Sequence, residues 1–313
     1  LRHRFDPEYL MGTAGQFVYD LLCILDSRSQ GFDIILQLGY TSSALWFPLH
    51  PGGPQIITCM DGLEWKRSKY NFLTRKFLRW SERQAVNQSH ALVADSGAIG
   101  RYIGEKYKMQ PEYIAYGAEI FTRPDPLVVR LRGLEPWRYG LVIARMQPDN
   151  HTEEIIQGFL EGRTDFPLVL AGNHHNAFGR RLFRKYSNEK VIFLGAEFDP
   201  VVLNNLRYHC QVYFHGHSAG GTNPSLLEAM AASAPVVAHD NPFNREVLND
   251  NAFYFTSPSD IAHILSHGNV AERMRDKIYS NRQWIREFYT WEKVVASYEQ
   301  LFLDRLSSTV DSG

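Results

Sequence analysis

The sequence predicts an α/β protein built on parallel sheets. Short apolar runs recur along the chain, and a small-residue turn and then a helical pattern follow each of them. Strands that alternate with helices in this way form parallel sheets covered on both faces, with right-handed crossovers. The composition also changes at Thr122–Arg138, where Pro124, Pro126 and Pro136 sit among arginines, and this splits the alternation into two series.

The first series opens with a helix over Gly15–Leu25, with Phe17, Leu21, Leu22 and Leu25 on one face. FDIILQL (Phe32–Leu38) suits a buried strand, and Thr41–Phe47 a further helix. QIITCM (Gln55–Met60) is the next strand, and the stretch from Leu63 to Val86 reads as one long helix. A strand at His90–Asp95, a helix over Ser96–Tyr107 and a short strand at Tyr113–Tyr116 complete the half.

In the second series the strands are Gly140–Ala144, Leu168–Ala171, Val191–Leu194, Val212–Phe214, Pro235–His239 and Phe253–Phe255. Helices follow them at His151–Glu161, Phe178–Tyr186, Val201–Tyr208, from Pro224 onward, Asn244–Leu248 and Ser259–Leu265. A last helix runs over Trp291–Leu306, and the tail Ser307–Gly313 reads as disordered.

The chain's 313 residues suit two domains. A net charge of -1 argues against a general nucleic-acid binder. No apolar run reaches the roughly 18 residues a membrane span needs. Cys23, Cys59 and Cys210 are too few and too scattered for a disulfide framework or a C-x-x-C site, which favours a reducing cytoplasm. The first residues are too polar for a signal peptide and lack an initiating Met, so the chain is expected to begin inside a longer protein.

VYFHGHSAGGTNPSLLEAMAA (Val212–Ala232) runs from strand through a glycine turn to a helix N-terminus, with Pro224 at its first turn. That geometry presents free N–H groups and the positive end of the helix dipole to a phosphate. Gly220 and Gly221 allow close approach, and Thr222 and Asn223 add side-chain hydrogen bonds. Glu228, one to two turns in, is placed for ribose hydroxyls, as acidic residues are in other nucleotide sites. The same residues also fit a plain helix start after a tight turn.

Ligands of open parallel sheets sit at the carboxyl ends of the strands. Arg145, Gly172, Asn173, Gly195 and the Gly220–Asn223 turn all follow strands and fit a diphosphate site, with Arg145 able to grip phosphate oxygens or to form a surface ion pair. In the first half Asp61 follows a strand. It fits a carboxylate acting on an acceptor hydroxyl and equally a helix cap, since Glu64 completes a capping-box spacing. Lys66, Arg67, Lys69, Arg75, Lys76, Arg79 and Arg83, interleaved with Trp65, Tyr70, Phe72, Phe77 and Trp80, fit a membrane-surface face or a solvated helix packed by aromatics. His209, Cys210, His215 and His217 match no tetrahedral zinc spacing.

With these residues in place, the chain resembles the retaining glycosyltransferases of family 4, which have the GT-B fold of two facing Rossmann-like domains. ARMQPDNH (Ala144–His151), LVLAGN, VIFLG and GGTNPSLLEAMAASAPVVA carry the resemblance, together with the helix beginning Trp291-Glu292-Lys293. DGLEWKRSKY (Asp61–Tyr70) and HGHSAGGTNPSLLEAM look most like the bacterial polysaccharide rhamnosyltransferases. The resemblance implies an acceptor-side domain over 1–122, a donor domain over 123–288 and a returning helix and tail over 289–313.

It further implies sugar transfer with retention, from dTDP-rhamnose in the narrower group, to a saccharide or lipid-linked acceptor at the cytoplasmic face of a membrane. Arg145 would bind the diphosphate, Glu228 the ribose and Gly220–Asn223 phosphate and sugar, while Asp61 would lie on the acceptor side. Asn150 belongs to the same donor segment, and no metal or other cofactor is implied. The sequence departs from the pattern in three places. Gly220 stands where a glutamate usually lies eight positions before Glu228, and Asn150 where a phosphate-binding lysine is usual. The resemblance also starts after the first strand and its glycine-rich loop, which implies a truncated first domain. A non-catalytic nucleotide-sugar binder and another GT-B enzyme, such as an epimerase, are the alternatives.

Overall fold

The computed structural model describes residues 3–67 and 70–310. They fall into two compact units. The first holds the residues through Ala115, Ala219–Gly221 and those from Val295 onward; the second holds Tyr116–Ser218 and Thr222–Val294.

The first unit contains a parallel sheet of β1 (Ile34–Gln37), β2 (Gln55–Met60), β3 (Ala91–Ala94) and β4 (Glu112–Tyr113), paired in that order. β1, β2 and β3 fall in the short apolar runs of the sequence, whereas β4 is the exposed pair Glu112–Tyr113, shifted ahead of the strand expected at Tyr113–Tyr116. Glu82, fully buried on the helix Phe72–Gln88, ties the neighbouring elements together. It accepts hydrogen bonds from Trp65 Nε1 (2.8 Å), Tyr102 (2.8 Å), Tyr107 (2.7 Å) and Lys106 Nζ (2.7 Å). Four donors offset the desolvation of a carboxylate that would otherwise be costly to bury.

The second unit holds β5 (Gly140–Ile143), β6 (Leu168–Ala171), β7 (Val191–Gly195), β8 (Val212–His215), β9 (Val236–His239) and β10 (Phe253–Phe255). All pairings are parallel, in the order β10-β9-β8-β5-β6-β7. The chain winds outward from β5 in one direction and from β8 in the other, so β5 and β8 flank the switch point of the topology. Val142, Leu168, Leu170, Val191, Phe214 and Phe255 pack with Ile155, Phe159 and Ile261 of the covering helices into one core.

Four helices of this unit share one start signal, a polar cap followed by proline. Asp199, Asn223, Asn241 and Ser257 each accept a backbone N–H of the first turn, and Pro200, Pro224, Pro242 and Pro258 follow. Proline loses nothing there because the first helical N–H has no partner.

Several sequence expectations are corrected. The long helix expected from Leu63 begins at Phe72, where the Asn71 side chain accepts the Thr74 N–H. Glu64–Lys66 forms only a 3-10 turn, entered from Leu63 with no side-chain cap, so Asp61 and Glu64 form no capping box. Lys69 lies outside the described residues. Thr41–Phe47 gives way to a 3-10 helix over Ser43–Leu49 with Pro48 inside it. The proline-rich segment contains a short helix, Pro126–Arg130, capped by Asp125. A helix over Arg275–Phe288 joins those read from the sequence. The last helix runs to Val310 through residues read as disordered, while residues 311–313 lie outside the described ones.

Candidate active site

A cavity of about 620 Å³ opens in the second unit at the carboxyl ends of β5, β6, β7 and β8, beside the switch point. The β5 end contributes Arg145 and Asn150, and the β6 end Gly172 and Asn173. Ala196–Phe198 enter after β7, and His215–His217 at the end of β8. Asn223, Pro224, Ser225 and Glu228 bring in the N-terminal part of the helix Pro224–Ala231, and Arg207 comes from the helix Pro200–Tyr208.

Two glycines permit the loops to meet. A Cβ on Gly172 would lie 2.0 Å from the Ala144 carbonyl oxygen, and one on Gly216 2.0 Å from that of Asn150. Both are backbone neighbours that no side chain tolerates.

Most charges around the cavity are committed to partners. Glu197 pairs with Arg132 at 3.1 Å, and its carboxyl is held below the usual range first by the Asp199 N–H and then by Arg132. Glu228 pairs with Arg207. The guanidinium of Arg145 is exposed and has no ion pair or hydrogen bond among the described residues. His215 is 4% exposed, and its buried Nε2 has no hydrogen-bond partner. Burial, and then the neighbouring His217, drive its pKa down to about 3, so the imidazole is neutral.

The structure separates the residues singled out from the sequence. Arg145, Asn150, Gly172, Asn173, Asn223 and Glu228 line the cavity together. Gly195 does not; it closes β7, with its carbonyl accepting the Gly172 N–H at 2.7 Å. Thr222 is buried and does not line the cavity either, and Gly220 and Gly221 are grouped with the first unit. Asp61 also lies in the first unit, just beyond β2. Its buried Oδ1 has no hydrogen-bond partner. Burial, and then the charge of Glu64, raise its pKa to about 6. Arg207 and His215 are site residues that sequence reasoning missed. A last-turn arginine and a strand-end histidine are locally unremarkable, and only tertiary placement sets them in the cavity wall.

Among the described residues, no three His, Cys, Asp or Glu side chains are grouped to hold a metal ion. No helix of the described residues is long and apolar enough to cross a membrane.

Residues 138–281 match the family described as Glycosyl transferases group 1, and residues 47–119 match a domain of unknown function, DUF1972. The fold is similar to that of sucrose-phosphate synthase from Thermosynechococcus elongatus, with a TM-score of 0.73 and 14% identity over 97% of this chain and 78% of that one. It is also similar to Anabaena HepE, solved with UDP and glucose, with a TM-score of 0.71 and 17% identity over 95% and 83%. TarM gives a TM-score of 0.67 and 16% identity over 92% of this chain, which spans 58% of the length of TarM. The fold is of the GT-B type, and the match to Glycosyl transferases group 1 lies, Ala219–Gly221 aside, within the second unit. The matched group 1 segment contains every residue that lines the cavity.

Proposed function

We propose that this chain is a retaining glycosyltransferase that uses a nucleoside-diphosphate sugar, with dTDP-rhamnose the best fit. The acceptor is a saccharide or lipid-linked saccharide in cell-surface polysaccharide synthesis. Arg145 carries the reading, because it is an uncommitted guanidinium at the mouth of a cavity that ends on a helix N-terminus. A diphosphate placed there meets a bidentate cation and the positive end of a helix dipole. As the bond from sugar to phosphate breaks, negative charge grows on the leaving diphosphate. Groups already oriented toward it stabilise that charge without reorganising.

Glu228 is the proposed ribose contact, and Gly172, Asn173 and Asn150 shape the wall. Gly195, Gly220, Gly221 and Thr222 act through backbone placement. Asp61, with its raised pKa, is the proposed carboxylate for the acceptor hydroxyl. UDP-bound neighbours of the same fold support a nucleotide donor, and the rhamnosyl assignment rests on the sequence motifs. Exposed Phe72 and Leu73 beside Arg75 and Lys76 support contact with an anionic membrane surface at the cytoplasmic side.

Thermal unfolding against dTDP, dTDP-rhamnose, UDP, UDP-glucose and GDP tests the reading. A ligand at about 100 times its dissociation constant stabilises by roughly 2.7 kcal/mol. A selective dTDP response is expected. A UDP-only response would discard the rhamnose assignment, and silence across the panel would discard the donor site.

A further inference from the structure

The segments that follow β5, β8 and β9 are tied together through a pair of stacked histidines. The rings of His151 and His239, both half-buried, have centroids 4.1 Å apart and planes 15° from parallel. Asn241 and Asn244, just past β9, donate through Nδ2 to the His217 carbonyl at 3.1 and 3.0 Å. Asn150, next to His151, and His217 both line the cavity.

The two rings are wired for opposite responses to a proton. Ser218 Oγ donates to the Asp149 carbonyl (3.1 Å), so it accepts from His151 Nε2 (3.0 Å). His151 Nδ1 is left with a lone pair 3.5 Å from Glu154 Oε1, where a proton would complete an ion pair. His239 Nδ1 instead faces Asn241 Nδ2 at 3.2 Å. Asn241 Oδ1 accepts the Phe243 and Asn244 N–H groups, which fixes Nδ2 as the donating end and His239 Nδ1 as an acceptor. A proton on that nitrogen would set donor against donor. Phe255 packs edge-on against the same ring at 5.5 Å. Burial, and then His151, lower the His239 pKa, against opposing pulls from Asp240 and Glu154. Asp240 is itself paired with Arg245.

We propose that the stack is a proton-operated clasp on the cavity wall: acid separates the two rings and frees the three segments from one another. Two like charges about 4 Å apart shift an equilibrium about fivefold even in water. Once the rings part, His239 regains an ordinary imidazole pKa of about 6.5. The opened state then binds the extra proton, so opening grows as pH falls through about 6.5, by up to about tenfold between pH 7.5 and 5.5. The clasp does not depend on what the cavity binds, but its effect on donor affinity rests on the nucleotide-site reading.

Hydrogen exchange at the Asn150, His151 and Ser218 amides, all hydrogen-bonded in the closed state, tests it at the two pH values after correction for intrinsic rates. The wild-type chain is expected to open up to about tenfold more at pH 5.5. His239→Phe keeps a ring in the stack without the second proton and should flatten the difference. Should that variant fail to fold, His151→Phe removes the first charge and should shrink it. Equal opening at both pH values in the wild type, or a difference that His239→Phe keeps, overturns the clasp. Titration with dTDP-rhamnose should show affinity falling with pH more steeply in the wild type than in His239→Phe. Absence of binding at either pH, with the exchange difference present, overturns the nucleotide-site reading and leaves the clasp standing.

Discussion

Asn150 and His217 join the two loops that meet at the switch point of the second sheet. The Nδ1 of His217 lies 3.0 Å from Oδ1 of Asn150, while Asn150 Nδ2 donates to the Arg145 carbonyl at 2.7 Å. Because an amide oxygen only accepts, His217 carries its proton on Nδ1. Asn150 occupies a position where the family resemblance leads one to expect a phosphate-binding lysine, and both of its polar ends are spent inside the protein.

Asn150→Asp should therefore destabilise the second unit. The substitution sets a carboxylate oxygen against the Arg145 carbonyl and removes the donor. The expected loss is about 1–3 kcal/mol, measured by urea unfolding. An unchanged midpoint would mean that the loops do not depend on this side chain.

Arg145→Ala should behave in the opposite way. The side chain is exposed and has no protein partner among the described residues, so the melting temperature should hold within a degree or so. Donor affinity should fall about tenfold to a hundredfold, the scale of one charge-assisted hydrogen-bond pair. Arg145→Lys should recover part of it, since a lysine supplies the charge without the fork.

Gly216→Ala tests the close approach of the two loops. A methyl group 2.0 Å from a backbone oxygen forces the chain apart. The expected cost is about 1–3 kcal/mol, with donor binding lost in step. Retained binding at full stability would show that the loops separate freely.

Asp61 makes a pH-dependent prediction. With its pKa raised to about 6 by burial, and then by Glu64, the native carboxyl holds its proton at pH values where an unfolded aspartate has lost it. The folded state then binds more protons, and stability from this group falls as pH rises from about 4 to about 6. Asp61→Asn should be more stable than the wild type at pH 7.5, by up to about 3 kcal/mol, with the gain gone at pH 4. A difference of equal size at both pH values would contradict this. If Asp61 also receives the acceptor proton, the transfer rate should rise through about pH 6 in the wild type and lose that limb in the variant.

The strands were legible because a parallel sheet buries both faces of each strand and leaves an uninterrupted apolar run. Gln55–Met60, Leu168–Ala171 and Phe253–Phe255 are found where the runs place them. Helix starts were legible where a cap precedes proline, as at Asn223-Pro224. The false start at Leu63 arose because the cation-rich, aromatic pattern continues across Asn71, and the asparagine cap was the signal overlooked. The aromatic and basic residues there are partly spent on each other, with Arg79 4.5 Å and Lys66 5.5 Å from the Trp65 ring. In the site, Arg145 and Glu228 could be found because strand ends and helix starts have local signatures. Arg207 could not, because its partners Ser225 and Glu228 lie 18 and 21 residues away along the chain.

The most direct test is calorimetric titration of dTDP-rhamnose into the wild-type chain and into Arg145→Ala. Saturable one-to-one binding, weakened at least about tenfold by the substitution at unchanged melting temperature, is the predicted result. Equal affinity in the two proteins would place the donor elsewhere and contradict the assignment of the cavity.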